Sequence, residues 1–226
     1  MEGKYKAWQV DKFKGDPILR DLSHKPLSNN QLLVKIKCST IHPADLAIVS
    51  GQHGVKPTQF PFTGGLEGSG IIEHVGSSID KNLIGKRVGV IGKVNTNGEY
   101  LGTWAEYTYC EMDQILVFDK EIDYETLCFS IINPFTAYGF LHTVKSSGRT
   151  SVIHNGASST FGRMFCRLCL KENINVINVI RKDSHFPTFK EFGAKYMVST
   201  SSPTWKEELS KYADYGSMGA AAGPAG

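Results

Sequence analysis

From Tyr5 to Cys110 the apolar positions fall in short alternating or β-branched runs divided by turn-forming clusters, which predicts a β-rich first half. The clearest strands are Gln31–Cys38 (QLLVKIKC), Gly70–Val75 (GIIEHV) and Arg87–Ile91 (RVGVI). Asn97-Gly98, a strong turn dipeptide, lies between the Val88–Ile91 run and the aromatic run Trp104–Tyr109, so a hairpin or loop is expected there. Beyond Asp123 the period lengthens. Tyr124–Val144 predicts helical stretches interrupted at Asn133-Pro134. A strand–helix alternation follows: a strand at Ser151–Asn155, a helix at Thr160–Lys171, a strand at Val176–Ile180, a short helix at Thr188–Gly193 stopped by glycine, and a third strand at Tyr196–Thr200. Connections of that length make the strands parallel. Gly216–Gly226 holds four Gly, four Ala and one Pro, has little side-chain surface to bury, and reads as a linker or tail. The expected class is α/β, with a β-rich domain over residues 1–123, a βαβαβ domain over 124–215 and a tail over 216–226.

Composition narrows the function classes. The 226 residues are 41% hydrophobic and 21% charged, near globular averages, so neither a disordered nor a fibrous chain fits. Lys and Arg number 25 against 22 Asp and Glu, and the net +3 is spread along the chain rather than gathered on a basic face, which argues against nucleic acid as a partner. No apolar run approaches the roughly 18 residues that a membrane span needs, and Met1–Gly15 has no apolar signal core. Five cysteines, an odd number without framework spacing, suit a reducing compartment. Cys166 and Cys169 lie within a helical apolar pattern and read as two small buried hydrophobes; a structural zinc site would need two further ligands close by in sequence.

Candidate chemistry begins where the first strand of the second half runs into Asn155-Gly156-Ala157-Ser158-Ser159-Thr160-Phe161-Gly162. Small residues in a tight strand-to-helix turn let backbone N–H groups and a helix N-terminus approach a pyrophosphate. Of the G-x-G-x-x-G pattern only Gly162 is literal, with Ala157 and Ser159 in the earlier places. The competing reading is an ordinary turn capped by Ser158 or Ser159. The second strand ends at Arg181-Lys182, about 20 residues past the turn, where an NAD site would carry a ribose-reading acid. A guanidinium there pairs with a 2′-phosphate, which favours NADPH; otherwise the pair is a solvated charge at a strand end.

Several stretches in order resemble the medium-chain dehydrogenase/reductase superfamily. Thr40-Ile41-His42-Pro43-Ala44-Asp45-Leu46 is similar to its Asn-Pro-x-Asp segment. Phe60-Pro61-Phe62, Gly64 to Gly70 and Val75-Gly76 resemble its Gly-rich turn and following strand, and Gly85-Lys86-Arg87-Val88 and Gly102 to Tyr107 also match. Leu101–Trp104, Asn133–Tyr138 and Asn175–Arg181 are most similar to the 2-enoyl thioester reductase branch, with quinone reductases next. The resemblance covers roughly residues 5–213 and implies a GroES-like domain followed by a Rossmann-type domain, part of which is missing here.

By that resemblance Thr136 lies near the nicotinamide, Gly156, Ser158, Ser159 and Gly162 hold the pyrophosphate, and Arg181 and Lys182 meet the 2′-phosphate of NADPH. The zinc ligands of the alcohol dehydrogenases are replaced by His42 or its neighbours and by Leu66, so no metal is expected. His53 stands where the enoyl reductases carry a catalytic Tyr and His42 where they carry Asn, making these two the candidate proton donors. The implied activity is NADPH-dependent, zinc-independent reduction of an activated C=C bond or a quinone, with a small-molecule acceptor as the partner. The alternative is a non-catalytic, truncated reductase-fold subunit whose open Rossmann edge another protein covers. Two compartments stay open: the mitochondrion by resemblance, and the cytoplasm because no Arg- and Ser-rich presequence is seen.

Overall fold

A computed structural model describes residues 3–54, 56–95, 97–118, 121–212 and 218–220. The chain forms two compact units, Met1–Ile132 and Asn133–Gly226. The first contains β1 (Lys4–Val10), β2 (Ile18–Ser23), β3 (Leu32–Ser39), α1 (Pro43–Val49), β4 (Phe62–Thr63), β5 (Glu67–Val75), β6 (Arg87–Ile91), β7 (Lys93–Val94), β8 (Tyr100–Leu101), β9 (Tyr107–Cys110), β10 (Ile115–Phe118) and α2 (Tyr124–Leu127). A five-stranded antiparallel sheet runs β10-β6-β5-β3-β9, beside a three-stranded sheet β2-β1-β4 and the β7-β8 hairpin. Leu32, Leu33 and Val34 are all fully buried because β3 has covered faces on both sides; this is why its sequence is a continuous apolar run rather than an alternation.

The second unit contains α3 from its second residue onward (Ile132–Ser146), β11 (Ser151–His154), α4 (Thr160–Lys171), β12 (Asn175–Ile180), α5 (Phe186–Glu191), β13 (Tyr196–Ser199), α6 (Trp205–Ser210) and β14 (Met218–Ala220). Its parallel sheet runs β13-β12-β11-β14. The inward face of α4 presents Phe161, Phe165, Cys166 and Cys169 at helical spacing to a core with Val152, Val176, Ile180 and Phe189. Cys166 and Cys169 are core residues, as read from the pattern, and burial pushes their thiols up to about 11 and about 12. Among the described residues no helix is long and apolar enough to cross a membrane.

Three sequence expectations are corrected. Asn133-Pro134 does not interrupt a helix: Pro134 sits in the first turn of α3, where a missing N–H costs no helical bond, and the break falls between α2 and α3. The Asn97-Gly98 turn is a hairpin as expected: it joins β7 to β8, pairing Val94 with Tyr100, and Gly98 takes a φ of 80° and donates to the Asn95 carbonyl. The segment 216–226 is not wholly a tail, because Met218–Ala220 pairs in parallel with Val152–His154, so over those residues the β11 edge expected to be open carries a strand. The first unit extends beyond residue 123, because α2 packs against β3 and β5 and Ser69 Oγ donates to the Tyr124 carbonyl at 2.7 Å.

Candidate active site and cofactor loop

In the first unit a buried carboxylate organises the chain around His42. Glu67 opens β5 and is fully buried. Its Oε2 lies 3.0 Å from His42 Nε2, and its Oε1 accepts the backbone N–H groups of Ile131 (2.5 Å) and Ile132 (3.0 Å). The Glu67 carboxylate faces the Nε2 side of the imidazole, so a proton on Nε2 satisfies both groups. The hydrogen bond that His42 donates to Glu67 holds it above the ordinary imidazole range; partial burial opposes this, and the Glu67 and Asp45 charges add to it. His42 side-chain exposure is 14%.

The local fold that sets this pair is legible residue by residue. His42 is the N-cap of α1, Pro43 is its first residue, and Asp45 reaches back so that Oδ2 accepts His42 N–H at 2.6 Å. Asp45 Oδ1 accepts Leu66 N–H at 2.7 Å, tying the start of α1 to the turn before Glu67. Burial raises the Asp45 carboxyl and these backbone bonds oppose the rise. On the far side the Glu67 carbonyl receives Thr40 N–H (3.1 Å) and the hydroxyls of Ser39 (3.0 Å) and Thr103 (3.0 Å). Trp104 Nε1 donates to the Thr40 carbonyl at 3.0 Å, closing the loop that leads into His42.

The second unit carries the candidate cofactor loop. β11 delivers the chain to Gly156, which takes a left-handed φ of 61°, and Ser159 N–H donates to the Gly156 carbonyl at 2.9 Å. Ser159, not Ser158, is the N-cap of α4: its Oγ accepts Gly162 N–H at 3.0 Å, which leaves its hydroxyl proton to donate outward. Gly162 has no room for a side chain, since a Cβ there would stand 2.5 Å from the Ala157 carbonyl oxygen and 2.6 Å from that of Gly156. The absent Cβ lets the first turn of α4 lie against the loop, with Gly156, Ser159 and Thr160 exposed and Ser158 half-buried at the carboxyl end of β11. Arg181 and Lys182 are exposed directly beyond the last residue of the neighbouring parallel strand β12.

Comparison with known proteins bears on both units. Residues 28–120 match the alcohol dehydrogenase GroES-like domain. Over 183 residues the chain is 29% identical to the mitochondrial enoyl-[acyl-carrier-protein] reductase of Caenorhabditis elegans, covering 79% of this chain and 51% of the relative. It is 28% identical over 175 residues to the quinone oxidoreductase of Sus scrofa, covering 76% and 51%. The chain is similar to reductases of the medium-chain dehydrogenase/reductase superfamily. A mutant of Etr1p solved in complex with NADP and crotonyl-CoA shares the fold, with a TM-score of 0.76, 21% identity and coverage of 98% of this chain and 68% of that one. The chain spans about half the length of the curated relatives it matches. The superfamily's two folds are therefore both present, a GroES-like domain and a Rossmann-type parallel sheet.

The sequence-derived site residues separate into groups. His42 caps the start of α1, whereas His53 follows its C-cap, Ser50, and its N–H donates to the Ala47 carbonyl; seven helical residues hold them roughly 10 Å apart along the axis. Thr136 is exposed in α3, two residues after Pro134. Among the described residues no group of three or more His, Cys, Asp or Glu is placed to hold a metal ion. Glu67 and Asp45 were not among the sequence-derived candidates. Glu67 had a faint signal, a carboxylate within the otherwise small and apolar run Gly64–Ile72, but its partners lie 25 and 64 residues away.

Proposed function

We propose that this chain binds NADPH through its second unit and serves zinc-independent reduction of an activated C=C bond, as in a 2-enoyl thioester, or of a quinone. The observation that carries the reading is the Gly156–Gly162 turn lying beside Arg181-Lys182, at the carboxyl ends of adjacent parallel strands. The loop residues fit a dinucleotide: the absent Gly162 Cβ lets the first turn of α4 close tightly on the loop, Ser159 has a hydroxyl proton to donate, and the α4 N-terminus favours negative charge. Arg181 and Lys182 supply cations for a 2′-phosphate, and no acid occupies those two positions to select a free ribose hydroxyl. When bound, the reduced nicotinamide supplies the hydride. In the first unit His42, whose proton affinity Glu67 raises, is the candidate proton donor.

The test is a titration of the full chain with NADPH and with NADH, followed by nicotinamide fluorescence and by melting temperature, because a ligand specific to the folded state stabilises it. NADPH should raise the midpoint by several degrees, NADH by less, and Arg181→Ala should remove the difference between them. A folded chain indifferent to both nucleotides overturns the reading and supports the alternative, a non-catalytic reductase-fold subunit; His53, set apart from His42 along α1, is the observation that favours that alternative. The names of the enoyl reductase relatives make the mitochondrion the first compartment to examine.

A further inference from the structure

The five cysteines divide sharply by environment. Cys110, Cys166 and Cys169 are wholly buried among apolar side chains. Cys38 and Cys128 instead meet across 90 residues of sequence, with their sulfurs 3.3 Å apart. Cys38 lies near the end of β3 and is partly exposed; Cys128 is the C-cap of α2, 5% exposed, with its thiol 3.1 Å from the Glu125 carbonyl. We propose that Cys38 and Cys128 are a reversible oxidation site that closes to a disulfide, locking the end of β3 to the end of α2. This holds whether or not the chain binds a nucleotide.

The geometry is close to that of the product. A disulfide needs its sulfurs at about 2.05 Å, so closing requires the two thiols to approach by roughly 1.2 Å. Both attachment points have slack: the β3–β5 ladder shifts register between Ile36 and Cys38, and α2 is a single turn. With a peroxide as oxidant, the Cys38 sulfur attacks one peroxide oxygen, forming an S–O bond, breaking O–O and releasing water once protons are balanced. The Cys128 sulfur then attacks the Cys38 sulfenic acid, forming S–S and breaking S–O, and its proton leaves with the hydroxide as a second water. Two thiols lose two electrons and the peroxide gains them. Exposure sets this order, since Cys38 is the one an oxidant reaches first. Burial, assisted by the neighbouring Cys38 thiol, pushes Cys128 up to about 12, so it is not the thiol that meets the oxidant first.

The consequence falls on the His42 region. Cys38 stands four residues before His42, and Cys128 three residues before Ile131, whose N–H holds Glu67. A covalent tie between those two segments braces both supports of the His42–Glu67 pair.

The experiment takes the full chain, reduced and desalted, through hydrogen peroxide exposure, alkylation with N-ethylmaleimide in denaturant, and peptide mapping by mass spectrometry. The expected result is loss of two of the five thiols, a linked peptide pair containing Cys38 and Cys128, full recovery of the thiols with dithiothreitol, and a melting midpoint several degrees higher in the oxidised form. The Cys128→Ser chain should form no intramolecular disulfide. Retention of all five thiols, a link involving Cys110, Cys166 or Cys169, or over-oxidation of Cys38 without a link would each overturn the proposal, and the peptide map of the unaltered chain decides it even if the variant fails to fold.

Discussion

Glu67 is a charge without water, and its position makes sense only through what it holds. An ionised carboxylate at zero exposure is costly unless its acceptors are filled, and here His42 and two backbone N–H groups fill them. Glu67→Gln removes the charge but keeps the shape; it should destabilise the chain by about 1.5–3 kcal/mol, the worth of a hydrogen bond to a charged group. The sign of its pH dependence follows from His42. The folded pKa of His42 is raised, so its contribution is fully present below the unfolded value near 6.5 and is lost as pH rises through the folded value. The melting gap between wild type and Glu67→Gln should therefore be widest near pH 5.5 and narrow toward pH 8; a gap that widens with pH would contradict this. His154 runs the other way. Burial depresses it, Nε2 is bonded to Asn178 Oδ1 at 2.8 Å, and Nδ1 has no partner among the described residues, so its contribution is present above pH 6.5 and fades as pH falls. Because His154 is common to both chains, the difference between them reports His42.

At the scale of elements, local pattern was a good guide wherever one residue type decides the geometry. The helix expected at Thr160–Lys171 is α4 to the residue, because an Oγ cap at Ser159 starts it and the spacing of Phe161, Phe165, Cys166 and Cys169 fills one face. The strand at Arg87–Ile91 also matches β6, whereas β5 begins three residues before its apolar run, at Glu67, since ladder bonds to β3 and β6 extend it through small residues. The loop before α4 depends on a single glycine. Gly162→Ala would drive a Cβ into two carbonyl oxygens, so the loop or the helix must shift. A loss of about 1–3 kcal/mol is expected, typical of overpacking, together with at least a tenfold weakening of NADPH binding by fluorescence titration. Undiminished binding by a destabilised Gly162→Ala chain would show that the loop is not the pyrophosphate site.

For the whole molecule, the division into two units is carried by separate cores: one cluster runs from Ala137 to Ala194, and three others lie within Tyr5–Cys110. Phe165→Ala, which empties the centre of the former, should cost about 3–5 kcal/mol and raise amide hydrogen exchange across β11, β12 and β13 before it does so in β3, β5 and β6. Uniform loss of protection would mean that the chain unfolds as one block. The sequence by itself determined the β-rich first half, the βαβ order of the second, the Gly-loop and the cations beyond β12, because propensity, periodicity and turn chemistry act over a few residues. Tertiary structure decided the rest. It paired Glu67 with His42 and with the chain at Ile131, brought Cys38 to Cys128, set His53 apart from His42, and recruited Met218–Ala220 as a strand beside β11. Each of these joins positions whose mutual approach depends on how whole strands pack, and a hydrogen bond or sulfur contact between residues 25 to 90 apart leaves no period along the chain to read.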